Sequence, residues 1–184
     1  MSSIKFLTKN DGKFRELAEL LPAEFSLSRD ETPVDELQTD DMDVLLRDKV
    51  LKAFRLVRRP LIVDHTGLQF GLLNGFPSGL TSIFYDKLGN DGIASIIGGS
   101  PDRSVTAITL IGYCDGRAIH TFRGEARGTV AARPRGDAGF QWDTIFVPEG
   151  FNQTYAELGQ AKKNEISMRR RAFDQFASFL RGGV

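Results

Sequence analysis

An acid and an imidazole stand side by side in "PLIVDHTGLQF", where an apolar run delivers Asp64 and His65 toward Thr66 and Gly67. A carboxylate can hold a hard cation, and an imidazole can take a proton from water near neutrality. The stretch "TKNDGK" adds Thr8, Asn10 and Lys13. At a strand-to-helix junction these residues favour phosphate, because free N–H groups at a helix start and a lysine charge converge there. The pattern is not a Walker A loop, which needs G-x-x-x-x-G-K-[ST]. On its own it also describes an ordinary capped helix start. Glu36 in "DELQ", with Asp40, Asp41 and Asp43 behind it, is an acidic candidate. With Asp64 it would supply the one or two carboxylates that Mg²⁺ takes beside phosphate and water; otherwise it is a solvated acidic loop. In "GFQWD", Gly139 to Asp143, an aromatic ring beside an acid suits a nucleobase, with Lys162, Lys163 and Arg169 of the following segment as cations for phosphate or base. Core packing is the competing reading for Phe140 and Trp142.

These groups need elements to position them. "SIKFLT" reads as a strand, and "GKFRELAELL" places Phe14, Leu17, Leu20 and Leu21 on one helical stripe after an N-cap at Asn10 or Asp11. "FSLSRD" reads as an edge strand or loop that gives way to a polar, Pro-broken segment. Leu46, Val50, Ala53, Phe54 and Val57 recur at helical spacing. A buried strand is expected over Leu61 to Val63, ending in a turn at Asp64 to Gly67. Two short glycine-closed helices follow in "LTSIFYDKLG" and "DGIASIIGG". A long hairpin is expected around Cys114 to Arg117, whose Asp-Gly favours a tight turn, and a single closing helix carries Ile166, Phe173, Phe176 and Leu180. The order predicts a mixed α/β fold with two lobes around a cleft.

Bulk properties bound the partners. The chain has 184 residues, 41% hydrophobic and 26% charged, the balance of a globular protein with a real core. Lys plus Arg and Asp plus Glu are both 24, so no net field draws the molecule to nucleic acid or to an anionic membrane. A single cysteine, Cys114, forbids an intrachain disulfide and a thiolate metal cluster. No apolar leader opens the sequence, and no run approaches the ~18 apolar residues of a membrane span, so a cytoplasmic location is expected.

Taken together and in order, "FLTKNDGKFRELAELL", "LIVDHTGLQFGLLNGFPSG" and "GFQWDTIFVPEGFNQTYAELGQAKKNEISMRRRA" resemble the inosine triphosphate pyrophosphatase, or Ham1-like, family over nearly the whole chain. The resemblance implies a mixed α/β fold with a long central sheet and flanking helices, two lobes around a deep nucleotide-binding cleft, and a homodimer. It implies Mg²⁺-dependent cleavage of non-canonical purine nucleoside triphosphates such as ITP, dITP and XTP to the monophosphate and pyrophosphate. It assigns Thr8, Asn10 and Lys13 to the phosphates, Thr66 to the substrate, Glu36 and Asp64 to the metal, and Asp64 and Lys13 to catalysis, with His65 standing where the family has an acid that serves as metal ligand or general base. Phe140 would stack on the base, Asp143 would contact it, Trp142 would line the pocket, and Lys163, Ser167 and Arg169 match the family's lysine, serine and arginine as substrate-binding residues.

The departures fall on the same motifs. The family's Glu-Asp-Ser/Thr-Gly is Asp64-His65-Thr66-Gly67 here, its S-H-R is Ser167-Met168-Arg169, and Gln141 and Thr144 replace a glycine and a proline. His65 is open to three chemical readings. As a general base it would deprotonate water; as a ligand it would shift metal preference toward Mn²⁺ or another softer divalent ion; or Glu36 and Asp64 would keep Mg²⁺ while His65 touches phosphate. The remaining alternative is a nucleotide-binding protein of the same fold in which catalysis is weak or lost.

Overall fold

The computed structural model describes residues 2–137 and 140–182. Among them one mixed sheet orders its strands β2-β1-β3-β5-β6-β7, from β1 (Ser2–Leu7), β2 (Phe25–Asp30), β3 (Leu61–Phe70), β5 (Ser104–Cys114), β6 (Ile119–Val130) and β7 (Phe146–Pro148), and the short β4 (Pro77–Ser78) pairs with β3. β1 runs parallel to β2 and β3, and the other pairings are antiparallel. Helices α1 (Asp11–Leu20), α2 (Met42–Val57), α3 (Thr81–Ile93), α4 (Tyr155–Ile166) and α5 (Met168–Leu180) flank it. The mixed α/β expectation therefore holds.

Strand alternation sorts the core onto two faces. Ile4, Phe6, Ile62, Ile111 and Phe122 pack with Leu17 of α1 and with Phe173 and Phe176 of α5. Leu61, Val63, Ile108 and Leu110 pack with Leu46, Val50 and Ala53 of α2 on the other. A third cluster joins Phe70, Ile93, Trp142, Phe146 and Tyr155. The aromatic-rich composition serves these contacts, as in the stacked Phe146 and Tyr155 rings, 4.8 Å apart.

Three expectations need correction. Asp64 to Gly67 is not a turn: β3 continues to Phe70, with Asp64, His65, Thr66 and Gly67 paired to Ile111, Leu110, Thr109 and Ile108. The glycine there answers a close approach, since a Cβ on Gly67 would lie 2.4 Å from the Ser78 carbonyl of β4. The closing helix is two helices, because Ser167 takes an extended backbone and its hydroxyl accepts from the Arg170 N–H, capping α5 while Ile166 ends α4. The hairpin loop is shifted by one residue to 115–118, with Cys114 paired to Ile119 and the Asp115 carboxylate accepting from the Arg117 and Ala118 N–H groups. The two-helix reading after the Gly-Pro loop survives as a break in α3 at Gly89, and Asn10 is the α1 cap, accepting from the Lys13 N–H. No helix among the described residues is long and apolar enough to cross a membrane.

Helix α5 rests directly on β6 at Gly124, where a Cβ would stand 1.9 Å from the Met168 carbonyl oxygen and 2.6 Å from the Ala172 nitrogen. Both obstacles are backbone and cannot rotate away. Gly124→Ala is expected to lower unfolding free energy by about 1–3 kcal/mol in urea titrations, the usual cost of overpacking.

Candidate active site

The cleft begins where β1 stops. β1 pairs with β3 only through Lys5 with Leu61 and Phe6 with Ile62, and β4 takes up pairing again at Leu68 and Gln69. Between them the β3 edge has no strand neighbour among the described residues, and buried carbonyls there need another donor. Lys49, from α2, donates to the Asp64 carbonyl at 2.9 Å.

Because successive residues of a strand face opposite ways, Asp64 and His65 serve different sides of that edge. Asp64 continues the Ile62 face, and its carboxylate accepts from Lys13 of α1 at 2.5 Å. Burial pushes the Asp64 carboxyl up, but the charges of Lys13, Lys49 and Arg169 outweigh it and hold it below the usual range. His65 continues the Val63 face, with Nδ1 3.9 Å from the Glu36 carboxylate, and its Nε2 is buried without a partner among the described residues. Glu36 is pulled down to about 2, by His65 and by Lys49 against the opposing effect of burial. At 3.9 Å the imidazole is too far for a direct hydrogen bond, so the one bond is from Lys49 at 2.5 Å. Lys49 was not among the sequence candidates. Its signal lay in helical phase, one turn from Leu46 and Ala53, which puts it on the α2 face that meets β3.

A cavity of about 600 Å³ collects these groups: Thr8, Asn10, Lys13, Glu36, Lys49, Asp64, His65 and Thr66 line it together with Phe140 and Gln141. Thr8 and Asn10 are already organised, since the Thr8 hydroxyl accepts from the Asn10 N–H, and Thr66 shares a hydrogen bond with Thr109 at 2.9 Å. A second depression of about 390 Å³ shares Asn10, Lys13 and Phe140 with the first and adds Glu16, Lys163 and Arg169. Phe140 is 40% exposed, with the Lys163 ammonium 5.7 Å from its ring centroid.

Behind this depression lies a buried ion pair. Lys163 donates to Asp143 at 2.5 Å, and the same carboxylate oxygen accepts from the Phe140 N–H at 2.9 Å, which fixes the loop that presents the ring. Burial pushes the Lys163 ammonium below its usual range although Asp143 opposes this. The other Asp143 oxygen has no partner among the described residues. Arg169 lies 3.7 Å from Glu16, whose carboxyl burial raises against the pull of Arg169 and Lys163. Three of the expected substrate residues line neither cavity: Trp142 is 2% exposed in the core with Phe146 and Tyr155, Asp143 is buried, and Ser167 is buried with its hydroxyl accepting in the α5 cap. Gly139 lies outside the described residues.

The metal expectation receives partial geometry. Among the described residues no three His, Cys, Asp or Glu side chains converge as a cation site, and each proposed carboxylate is held by a lysine. Glu36 and Asp64 both line the cavity. Two carboxylates suit a cation completed by phosphate and water, as Mg²⁺ usually is, and not a preformed protein cage.

The chain and its fold have counterparts among known proteins. The Ham1 family model matches residues 4–179. The chain belongs to the Ham1 family. Among Ham1 relatives, a dITP/XTP pyrophosphatase of Methanopyrus kandleri is 36% identical, covering 98% of this chain and 97% of that protein. A dITP/XTP pyrophosphatase of Saccharolobus solfataricus is 38% identical over 96% of this chain and 93% of its own length. The solved structure of a HAM1 protein from Coxiella burnetii superposes with a TM-score of 0.80 at 25% identity, covering all of both chains. This homology supports hydrolase activity in the Ham1 chain in general terms.

Lys163 and Asp143 are each 4% exposed, so removing one strands the other as a buried charge. Lys163→Met is expected to cost about 3–5 kcal/mol of stability by chemical denaturation. Adding Asp143→Asn should recover part of that loss.

Proposed function

We propose that the protein is a Mg²⁺-dependent nucleoside triphosphate pyrophosphatase that acts on non-canonical purine nucleotides such as dITP, XTP and ITP, yielding the monophosphate and pyrophosphate. The observation that carries the reading is one cavity lined by Lys13, Lys49, Glu36, Asp64, His65 and Phe140. In this reading the chain is a single Ham1-like domain whose two lobes enclose the cleft, and two copies form a homodimer as in the family.

The polyphosphate tail lies against the α1 N-terminus, where Thr8, Asn10 and Lys13 meet the helix dipole. Lys13 and Lys49 exchange their carboxylate partners for phosphate oxygens. The base stacks on Phe140, while Lys163 and Arg169 offer cations to its polar edge. Glu36 would hold the cation, with Asp64 joining once Lys13 has released it. The bound Mg²⁺ supplies positive charge that neutralises the phosphates.

Hydrolysis then needs a water aligned with the α-phosphorus. Its oxygen bonds to phosphorus, the bond from phosphorus to the bridging oxygen breaks, and pyrophosphate leaves with that electron pair. His65 takes the proton lost by the water, and the Glu36 carboxylate 3.9 Å from Nδ1 steadies the imidazolium. Lys13 and Lys49 stabilise charge on the leaving group.

A second reading, nucleotide binding with little turnover, is favoured by one observation: both proposed metal carboxylates already pair with lysines. Steady-state pyrophosphate release from dITP, XTP, ITP, ATP and GTP with Mg²⁺ or Mn²⁺ separates the two. Turnover is expected, faster with the first three; absence of turnover with every triphosphate would leave the binding reading. Lys13→Ala is expected to lower kcat/KM about 10²–10³-fold through lost charge stabilisation. His65→Gln is expected to lower kcat about 10²–10⁴-fold with KM little changed, the loss of a general base.

A further inference from the structure

Gln141 is held in a backbone conformation that its side chain disfavours. Its φ is +47°, in the left-handed region that bulky residues seldom adopt, and it opens the short 3₁₀ turn Gln141–Thr144 directly after Phe140. Asn90, just past the break in α3 at Gly89, secures it by donating from Nδ2 to the Gln141 carbonyl at 3.0 Å. A glycine would relieve this conformation without disturbing that bond, since Asn90 grips backbone. Gln141 is instead exposed and lines the larger cavity. Strain kept where a smaller residue would fit points to a use for the side chain.

The position of Gln141 indicates what that use is. Phe140, Asn10 and Lys13 border both the larger cavity and the depression beside Lys163 and Arg169. A nucleotide with its ring in the depression and its phosphates in the larger cavity must place its sugar at this junction. Gln141 borders the larger cavity one residue from Phe140, within the reach of an amide that can both donate to and accept from a hydroxyl. We propose that Gln141 is a specificity-determining residue that hydrogen-bonds the 2′- or 3′-hydroxyl of the bound nucleotide's ribose, so that this protein reads the sugar as well as the base. The assignment rests on the nucleotide reading of the cleft above.

The test is calorimetric binding of inosine triphosphate and its 2′-deoxy and 3′-deoxy forms in EDTA, where turnover does not intervene. The wild-type protein should bind the ribonucleotide about three- to tenfold more tightly than one of the deoxy forms, the range of a single neutral hydrogen bond. Gln141→Ala, which keeps the strained backbone, and Gln141→Gly, which relieves it, should both close that gap while leaving affinity for the discriminated deoxy form unchanged. Only Gln141→Gly should melt above the wild type. A wild type blind to the sugar, or a gap that survives in both variants, overturns the proposal. Pyrophosphate release is measured separately with Mg²⁺, so a protein that reads the sugar but turns over nothing would fail the pyrophosphatase reading alone.

Discussion

The site depends on an interruption in strand pairing. β1 accompanies β3 only as far as Ile62, which leaves the next residues buried against β5 on one edge and open on the other. An open edge inside a sheet is ordinarily costly, because main-chain groups lose their partners without gaining water. Here the cost is offset by a lysine from outside the sheet, with Lys49 bound to the Asp64 carbonyl. The same gap admits side chains from both layers, so α1 delivers Lys13 to one face of β3 and α2 delivers Lys49 to the other.

A charge balance follows from this arrangement. Two lysines and two carboxylates share a poorly solvated space and neutralise one another as Lys13 with Asp64 and Lys49 with Glu36. Such pairs keep the lysines aimed while no anion is present, and they can be exchanged, since a phosphate oxygen offers the same hydrogen bonds as a carboxylate oxygen. The buried Lys163 and Asp143 pair plays a different part. Its members are almost wholly enclosed, and the carboxylate also grips the Phe140 backbone, so it acts as a brace for the exposed ring. Exchangeable pairs line the larger cavity and a fixed one supports the aromatic ring.

Much of this was legible in the sequence, for reasons that can be traced to particular residues. Helical spacing and the Asn10 cap located α1, and the phosphate-suited loop at its start fell where expected because capping is a local interaction. Thr8, Asn10, Lys13, Glu36, Asp64 and His65 came from separate segments and meet in one cavity. The errors were non-local. Gly67 suggested a turn when its small size answers the approach of β4, a contact that no neighbouring residue announces. Trp142, expected beside the pocket, packs in the third core cluster, where residues distant in sequence meet it. Lys49 was passed over because one lysine among many on a helix gains meaning only when the strand beneath it lacks a partner.

The most direct test is a crystal structure with Mg²⁺ and a non-hydrolysable dITP analogue whose α,β-bridging oxygen is replaced. The account predicts the phosphates within hydrogen-bond distance of Lys13 and Lys49, both lysines withdrawn from their carboxylates, and the purine stacked on Phe140. A nucleotide bound outside this cleft, or one bound there with the Lys13 to Asp64 and Lys49 to Glu36 pairs intact, would contradict it.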